Sequence, residues 1–168
     1  MASELHVDAI KHSGGTSAMT ISSGGVVNIP GHVLQVVSST YATQTSSSSS
    51  TFADTGLTAS ITPSSSSSKV LVIVQVSSCF TTTNTNAEID VNLLRDSTQI
   101  IATMGGRGGN SSTGGDAIGT VGCAFLDSPS STSSVTYKPQ FRSTQNNATA
   151  SVHLGGTTST MTLMEIAG

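Results

Sequence analysis

KVLVIVQVSSCF, Lys69 to Phe80, is the stretch that decides the fold class. Val70, Leu71, Val72, Ile73, Val74 and Val76 are apolar, and Gln75 is the one polar interruption among them. A run this short and this rich in β-branched residues, preceded by the serine tract Ser64 to Ser68, reads as a strand covered on both faces. In a sandwich one face meets the second sheet, so the other needs a cover of its own. The closing strand MTLMEI, Met161 to Ile166, has the same property: Met161 and Leu163 fall on one face, Met164 and Ile166 on the other. A neighbouring subunit is the natural cover, with a long loop of the same chain as the alternative. Val70, Val72, Val74, Met161, Leu163, Met164 and Ile166 are therefore assigned to subunit-interface strands.

Working outward, the same period of two recurs in VLQVVSSTY, TFADTGLTASI, AEIDVNLLRD, TQIIAT, AIGTVGCAFLD, SVTYKPQF, ATASVHL and TSTMTLMEIA. No window places apolar residues at helical spacing over three turns. In AEIDVNLLRD, Ile89, Val91 and Leu93 alternate with Glu88, Asp90 and Asn92, the pattern of a sheet with one wet face. About nine closely spaced strands with Gly, Ser and Asn turns are the signature of a sandwich, jelly roll or barrel, and the expected fold over 32–168 is an all-β, antiparallel sandwich, jelly-roll-like. The serine tracts Ser46 to Ser50 and Ser64 to Ser68 fall between strand candidates and read as loops. Ahead of them, 1–31 carries the short β-like pieces LHVDAIK, AMTI and VVNI, separated by glycine turns, and reads as a separate arm or stem.

Composition narrows the function. Charged residues are 9% of the 168, against roughly a quarter in ordinary globular proteins. Aromatic residues are 4%, with no Trp. Ser, Thr, Asn and Gly must build the surface, and the core of one subunit is thin, which favours burying further surface between subunits. Six Lys and Arg, scattered singly against nine Asp and Glu, form no basic patch, so nucleic-acid binding is not expected. The longest apolar run, Val70 to Val74, is far below the roughly 20 residues of a membrane helix. The first residues, MASELHVDAIKH, hold no apolar stretch of signal-peptide length. Cys79 and Cys123, each in a β-like apolar context, are read as two buried free thiols, with one disulfide as the alternative.

Motifs that could carry chemistry resolve into plainer readings. Asp54-Thr55-Gly56 spells the aspartic protease triplet, yet an Asp followed by the Gly that a turn requires explains it. His6, His12, His32 and His153 form no HxH, HExxH or helical pair, and no metal or other cofactor is expected. GGRGGNSSTGG, Gly105 to Gly115, lacks the GKS or GKT ending of a phosphate loop. It reads as a surface loop in which Arg107, Asn110 and Asp116 form a candidate exposed contact group. No GxSxG elbow occurs, and nothing points to an enzyme.

GHVLQVVSSTYATQTSSSSSTFADTGLTASITPSSSSSKVLVIVQVSS, read from Gly31, resembles a family of tail-fibre-like domains of phages that infect aquatic bacteria. The resemblance continues through LLRDSTQI, AFLDSPSS, TYKPQFRS and TLMEIA. ELHVDAIKHSGGTSAMTISSGGVVNIPG is similar to a short module of phage fibre and appendage proteins. The resemblance implies a non-enzymatic virion protein, displayed on the phage particle as a homotrimer beside other virion proteins, in contact with a host-surface glycan or protein. The first reading is a tail fibre or tail appendage subunit; the alternative, which the short stem of 1–31 suits equally, is a capsid decoration protein.

Overall fold

A computed structural model of the chain describes residues 7–15, 17–21, 23–25, 27–29, 31–82, 88–104, 116–144 and 148–168. These form fourteen strands and a single 3-10 turn, Leu154–Gly156. The first three, β1 (Ala9–Lys11), β2 (Ser17–Ile21) and β3 (Val27–Asn28), make a small antiparallel meander of their own. The others build two facing sheets. Sheet I contains β4 (Val33–Tyr41), β5 (Thr45–Ser47), β8 (Lys69–Thr81), β11 (Asp116–Asp127), β13 (Ala150–Val152) and β14 (Ser159–Ile166). Sheet II contains β6 (Ala53–Asp54), β7 (Ala59–Ile61), β9 (Ile89–Arg95), β10 (Thr98–Ile101) and β12 (Val135–Ser143).

With the short β5 and β13 set aside, sheet I runs β4-β14-β8-β11 and sheet II runs β10-β9-β12, with β6 and β7 sharing the far edge of β12. This interleaving of strands distant in sequence is the jelly roll, two Greek keys folded over one core. The chain is thus an all-β, antiparallel sandwich, as its periodicity predicts. Thirteen-residue β8 forms the spine of sheet I: β14 and then β13 pair along one edge, and β11 along the whole of the other.

The core lies between the sheets. Val70, Val72, Val74 and Val76 of β8 and Met161 and Leu163 of β14 face Ile89, Val91 and Leu93 of β9 and Tyr137 and Phe141 of β12, all fully buried. A partly buried ion pair links the sheets: Arg95 donates to both carboxylate oxygens of Asp127 at 2.9 and 2.8 Å, and the Tyr137 hydroxyl donates to Asp127 Oδ2 at 2.7 Å. Burial, and then the Asp127 carboxylate, raise the Tyr137 phenol well above its ordinary range, so it remains a donor.

Four local readings change. TFADTGLTASI is two short strands, because Gly56 turns the chain at φ +94 and packs where any Cβ would overlap the Tyr41 ring. The first serine tract is partly strand: β5 pairs with β13, and Ser46 Oγ lies 2.9 Å from Ser151 Oγ across the pair. The second tract has a structural task, since Ser64 donates from both N and Oγ, each at 2.7 Å, to the buried carboxylate of Glu165. Finally, Asp90 and Asn92, read as a wet face, are buried at 4% and 2% exposure beneath neighbouring polar side chains.

Candidate subunit interface

Strand alternation sorts the predicted interface residues into two groups. Val70, Val72, Val74, Met161 and Leu163 point inward and are at most 1% exposed, so they belong to the subunit's own core and are not available to a second chain. Assigning them to an interface is corrected by the period of two: a strand apolar on both sides still gives one side to its own sandwich. Met164 and Ile166 lie on the other side and do face outward, half-buried.

Register shows what surrounds them. Met164 stands opposite Val36 on one side and Leu71 on the other, and Leu71 stands opposite Leu126. Val36, Met164, Leu71 and Leu126 thereby form one apolar row across β4, β14, β8 and β11 on the outer face of sheet I. Val36 is 57% and Leu126 48% exposed. Val33, at 47%, and Ile166 extend the patch beyond the row on one side, and Ile73 extends it on the other. The sequence contained the signal for Leu71 in the doubly apolar β8. It did not reveal Val36 or Leu126, because only register places four strands side by side.

Beside the row the face is hollow. Gly122 and Ala124 of β11, with Ile73, Gln75 and Thr120, line an open depression of about 340 Å³. Gly122 is required there, since a Cβ would run into the backbone carbonyl of Val74. Of the charged residues in β4, β8, β14 and 119–127, Lys69 alone points outward, while Glu165 and Asp127 point into the sandwich. The face is therefore an apolar ridge next to a shallow hollow, almost free of charge. Contiguous exposed apolar surface of this kind makes the face a candidate contact surface.

The remaining candidate residues do not assemble into a reactive site. Arg107 and Asn110 lie outside the described residues, and Asp116 opens β11 opposite Thr81. Asp54 of the DTG triplet pairs with Lys138 Nζ at 3.0 Å and accepts from Gln140 Nε2 at 2.6 Å. Burial pushes it up, but these two donors outweigh that and hold its carboxyl below the ordinary value. Cys79 and Cys123 are free, and burial raises the Cys79 thiol to about 11, which leaves it unreactive at neutral pH. Among the described residues no three His, Cys, Asp or Glu side chains are grouped to hold a metal, and no helix is long and apolar enough to cross a membrane.

No family model and no curated protein matches the chain. Among solved structures it is similar to those of infectious bursal disease virus. The Gx strain structure has 12% identity and a TM-score of 0.45 over 96% of this chain and 42% of that one. The Gt strain structure has 12% identity and a TM-score of 0.42, over 85% and 40% respectively. The VP2 subviral particle has 12% identity and a TM-score of 0.40, over 80% and 38%. The chain spans less than half the length of each of these chains.

Proposed function

We propose that this chain is a structural subunit of a bacteriophage virion, a tail fibre or tail appendage protein that works as a homotrimer and has no enzymatic role. The observation that carries the proposal is the in-register row Val36–Met164–Leu71–Leu126 on the outer face of sheet I. Left bare, it exposes large apolar side chains, Val36 and Leu126 above all, on the outer face of the sandwich. Packed against further copies, it supplies the apolar burial that one thin core lacks. The jelly roll, an architecture used by viral coat and lectin domains, is compatible with this role but does not by itself assign it. The sequence resemblance to phage fibre-like domains adds the virion and the trimer. On this reading the protein is made in the host bacterial cytoplasm and ends on the particle surface beside other virion proteins.

The oligomer is tested by light scattering on the purified chain and on the double variant Val36→Lys with Leu126→Lys. Expected is a trimer for the parent and a folded monomer for the variant, because two ammonium groups in one apolar row cannot both be desolvated cheaply. A parent chain that remains monomeric at micromolar concentration overturns the assignment. The virion address is tested by imaging intact particles and counting copies. A few dozen per particle fits a tail appendage, whereas hundreds would make the chain a capsid decoration protein.

A further inference from the structure

The two sheets end differently. Sheet II has blunted edges: β10 on one side is four residues long with a register shift between Gln99 and Ile101, and the other side is divided between the short β6 and β7. Sheet I ends on two long strands, β4 and β11, each paired along one side only among the described residues, β4 with β14 and β11 with β8. Over 121–127, β11 reads VGCAFLD, and over 35–41, β4 reads QVVSSTY. Neither stretch holds a Lys, an Arg or a Pro, and its one charged residue, Asp127, points into the sandwich toward Arg95. Exposed charges, prolines and short or bulged strands are what normally protect a sheet edge from pairing, so both edges of sheet I stand open as templates for another strand.

The two edges also match one another. Strands β4, β14, β8 and β11 alternate in direction, so β11 of one copy laid beside β4 of another is antiparallel, like every other pair of the sheet. The apolar row begins at Val36 on one edge and ends at Leu126 on the other, and these are its most exposed members, because each lacks a neighbour on its open side. Setting Leu126 opposite Val36 of the next copy continues the row and aligns 121–127 with 35–41. Both stretches lie clear of irregularities: the register shifts of β11 fall between Ala117 and Val121, and that of β4 between Val33 and Gln35. Hydrogen-bonded and non-hydrogen-bonded pairs alternate across the row, so the backbone groups of Val36 and Leu126 both point to the open edges or both point away, as the two members of one antiparallel pair must. On the inner side the same register sets Phe125 beside Val37, both half-buried. Self-pairing is poorer. Two copies of β11 joined at Leu126 overlap only over 125–127, where the strand ends, and two copies of β4 joined at Val36 run through its irregular start twice.

We infer that copies of this chain join edge to edge, β11 of each pairing with β4 of the next, and that three such junctions close sheet I into a triangular prism with its outer face turned to the axis. Four strands about 4.8 Å apart make a sheet ~19 Å wide, and a triangle of that side holds each sheet ~5.5 Å from the axis, about half the ~10 Å at which two facing sheets fill the space between them. The three copies of the row Val36–Met164–Leu71–Leu126 then meet as one packed apolar layer. Ser38, Thr162 and Ala124 of the next row are small and fit the same spacing. Lys69, the outward charge of this face, lies at the end of β8 where the prism opens, so its ammonium reaches water. Closure after three copies leaves no free edge on sheet I. The inference rests on the trimer reading and names the contact that makes the trimer: main-chain hydrogen bonds between two edges, with burial of the outer face as their consequence.

The test is disulfide cross-linking of the full-length chain carrying Val36→Cys with Leu126→Cys, the native thiols being removed by Cys79→Ala and Cys123→Ala. Opposed residues of an antiparallel pair lie within disulfide reach. Expected under mild oxidation is a covalent trimer on a non-reducing gel, reversed by reductant, and no cross-link when either cysteine is introduced alone, since each junction needs one of each. A cross-linked dimer from a single cysteine, or bands extending beyond the trimer, overturns the inference. So does the absence of a cross-link in a chain that light scattering shows to be trimeric, and there the trimer assignment stands; a monomeric parent overturns both. Hydrogen exchange on the unsubstituted parent supplies a second readout that does not depend on the cysteine variants folding. The edge-pointing amides of 35–41 and 121–127 should exchange roughly tenfold or more slowly in the assembled parent than in the chain with Val36→Lys and Leu126→Lys, and equal rates overturn the inference.

Discussion

His153 is fully buried in left-handed backbone at φ 59, edge-on to Tyr41 with ring centroids 5.3 Å apart, and neither ring nitrogen has a hydrogen-bond partner among the described residues. Burial disfavours the imidazolium and lowers its pKa from 6.5. The unfolded chain therefore takes up a proton near pH 6.5 that the folded chain refuses. Stability is full above that pH and declines as pH falls below it, until the folded-state pKa is passed. Scanning calorimetry between pH 7.5 and 5.5 should show the decline, and His153→Asn, which tolerates the same backbone, should flatten it; an equal slope in the variant would refute the assignment. Glu165 behaves differently. Burial pushes its carboxyl up, yet donation from Gln35 and Ser64 prevails and holds it below its ordinary value of 4.5, so it stays ionised inside the sandwich. Glu165→Ala strands those donors and should cost about 3 kcal/mol in urea denaturation.

At the level of elements, the pairing of β8 with β11 is set by one glycine. Gly122→Ala places a methyl against the Val74 carbonyl, and the strands must part to admit it, at about 1–3 kcal/mol. Faster exchange of the amides of Val74 to Val76 is the local sign expected in hydrogen-exchange measurements. The sequence had shown β8 and β14 plainly, since Val70 to Val76 and Met161 to Ile166 have only strand readings. What it withheld was which side of each strand meets which neighbour. Val70 and Leu71 look equivalent in sequence, yet the first is core and the second belongs to the outer row, because the second sheet covers one face only. Ser64 to Ser68 was illegible for the opposite reason: nothing in a serine run announces that Glu165, a hundred residues later, will be buried against it.

For the whole molecule, the two outer faces give the sandwich a direction. With sheet I packed against other copies, as proposed, the charged face of sheet II is the one left outward. The N-terminal meander takes no part in either sheet: β1, β2 and β3 pair only among themselves, and Val7, Ile10, Val27 and Ile29 remain exposed. Three strands this short with no covered apolar face are marginal by themselves. The chain entering β4 is fixed instead by the end of β14, where Gly31 N donates to Ala167 O at 2.8 Å and Ala167 N to His32 O at 2.9 Å. Removing residues 1–30 should then leave the sandwich's cooperative melting within about 3 °C of the parent, less than ~1 kcal/mol for a domain of this size. The same deletion should leave the trimer intact if sheet I alone holds it. Calorimetry and light scattering on the shortened chain read the two separately. A large drop in melting temperature would mean that the meander packs on the sandwich, and dissociation at unchanged melting would move the subunit contact from sheet I to the arm.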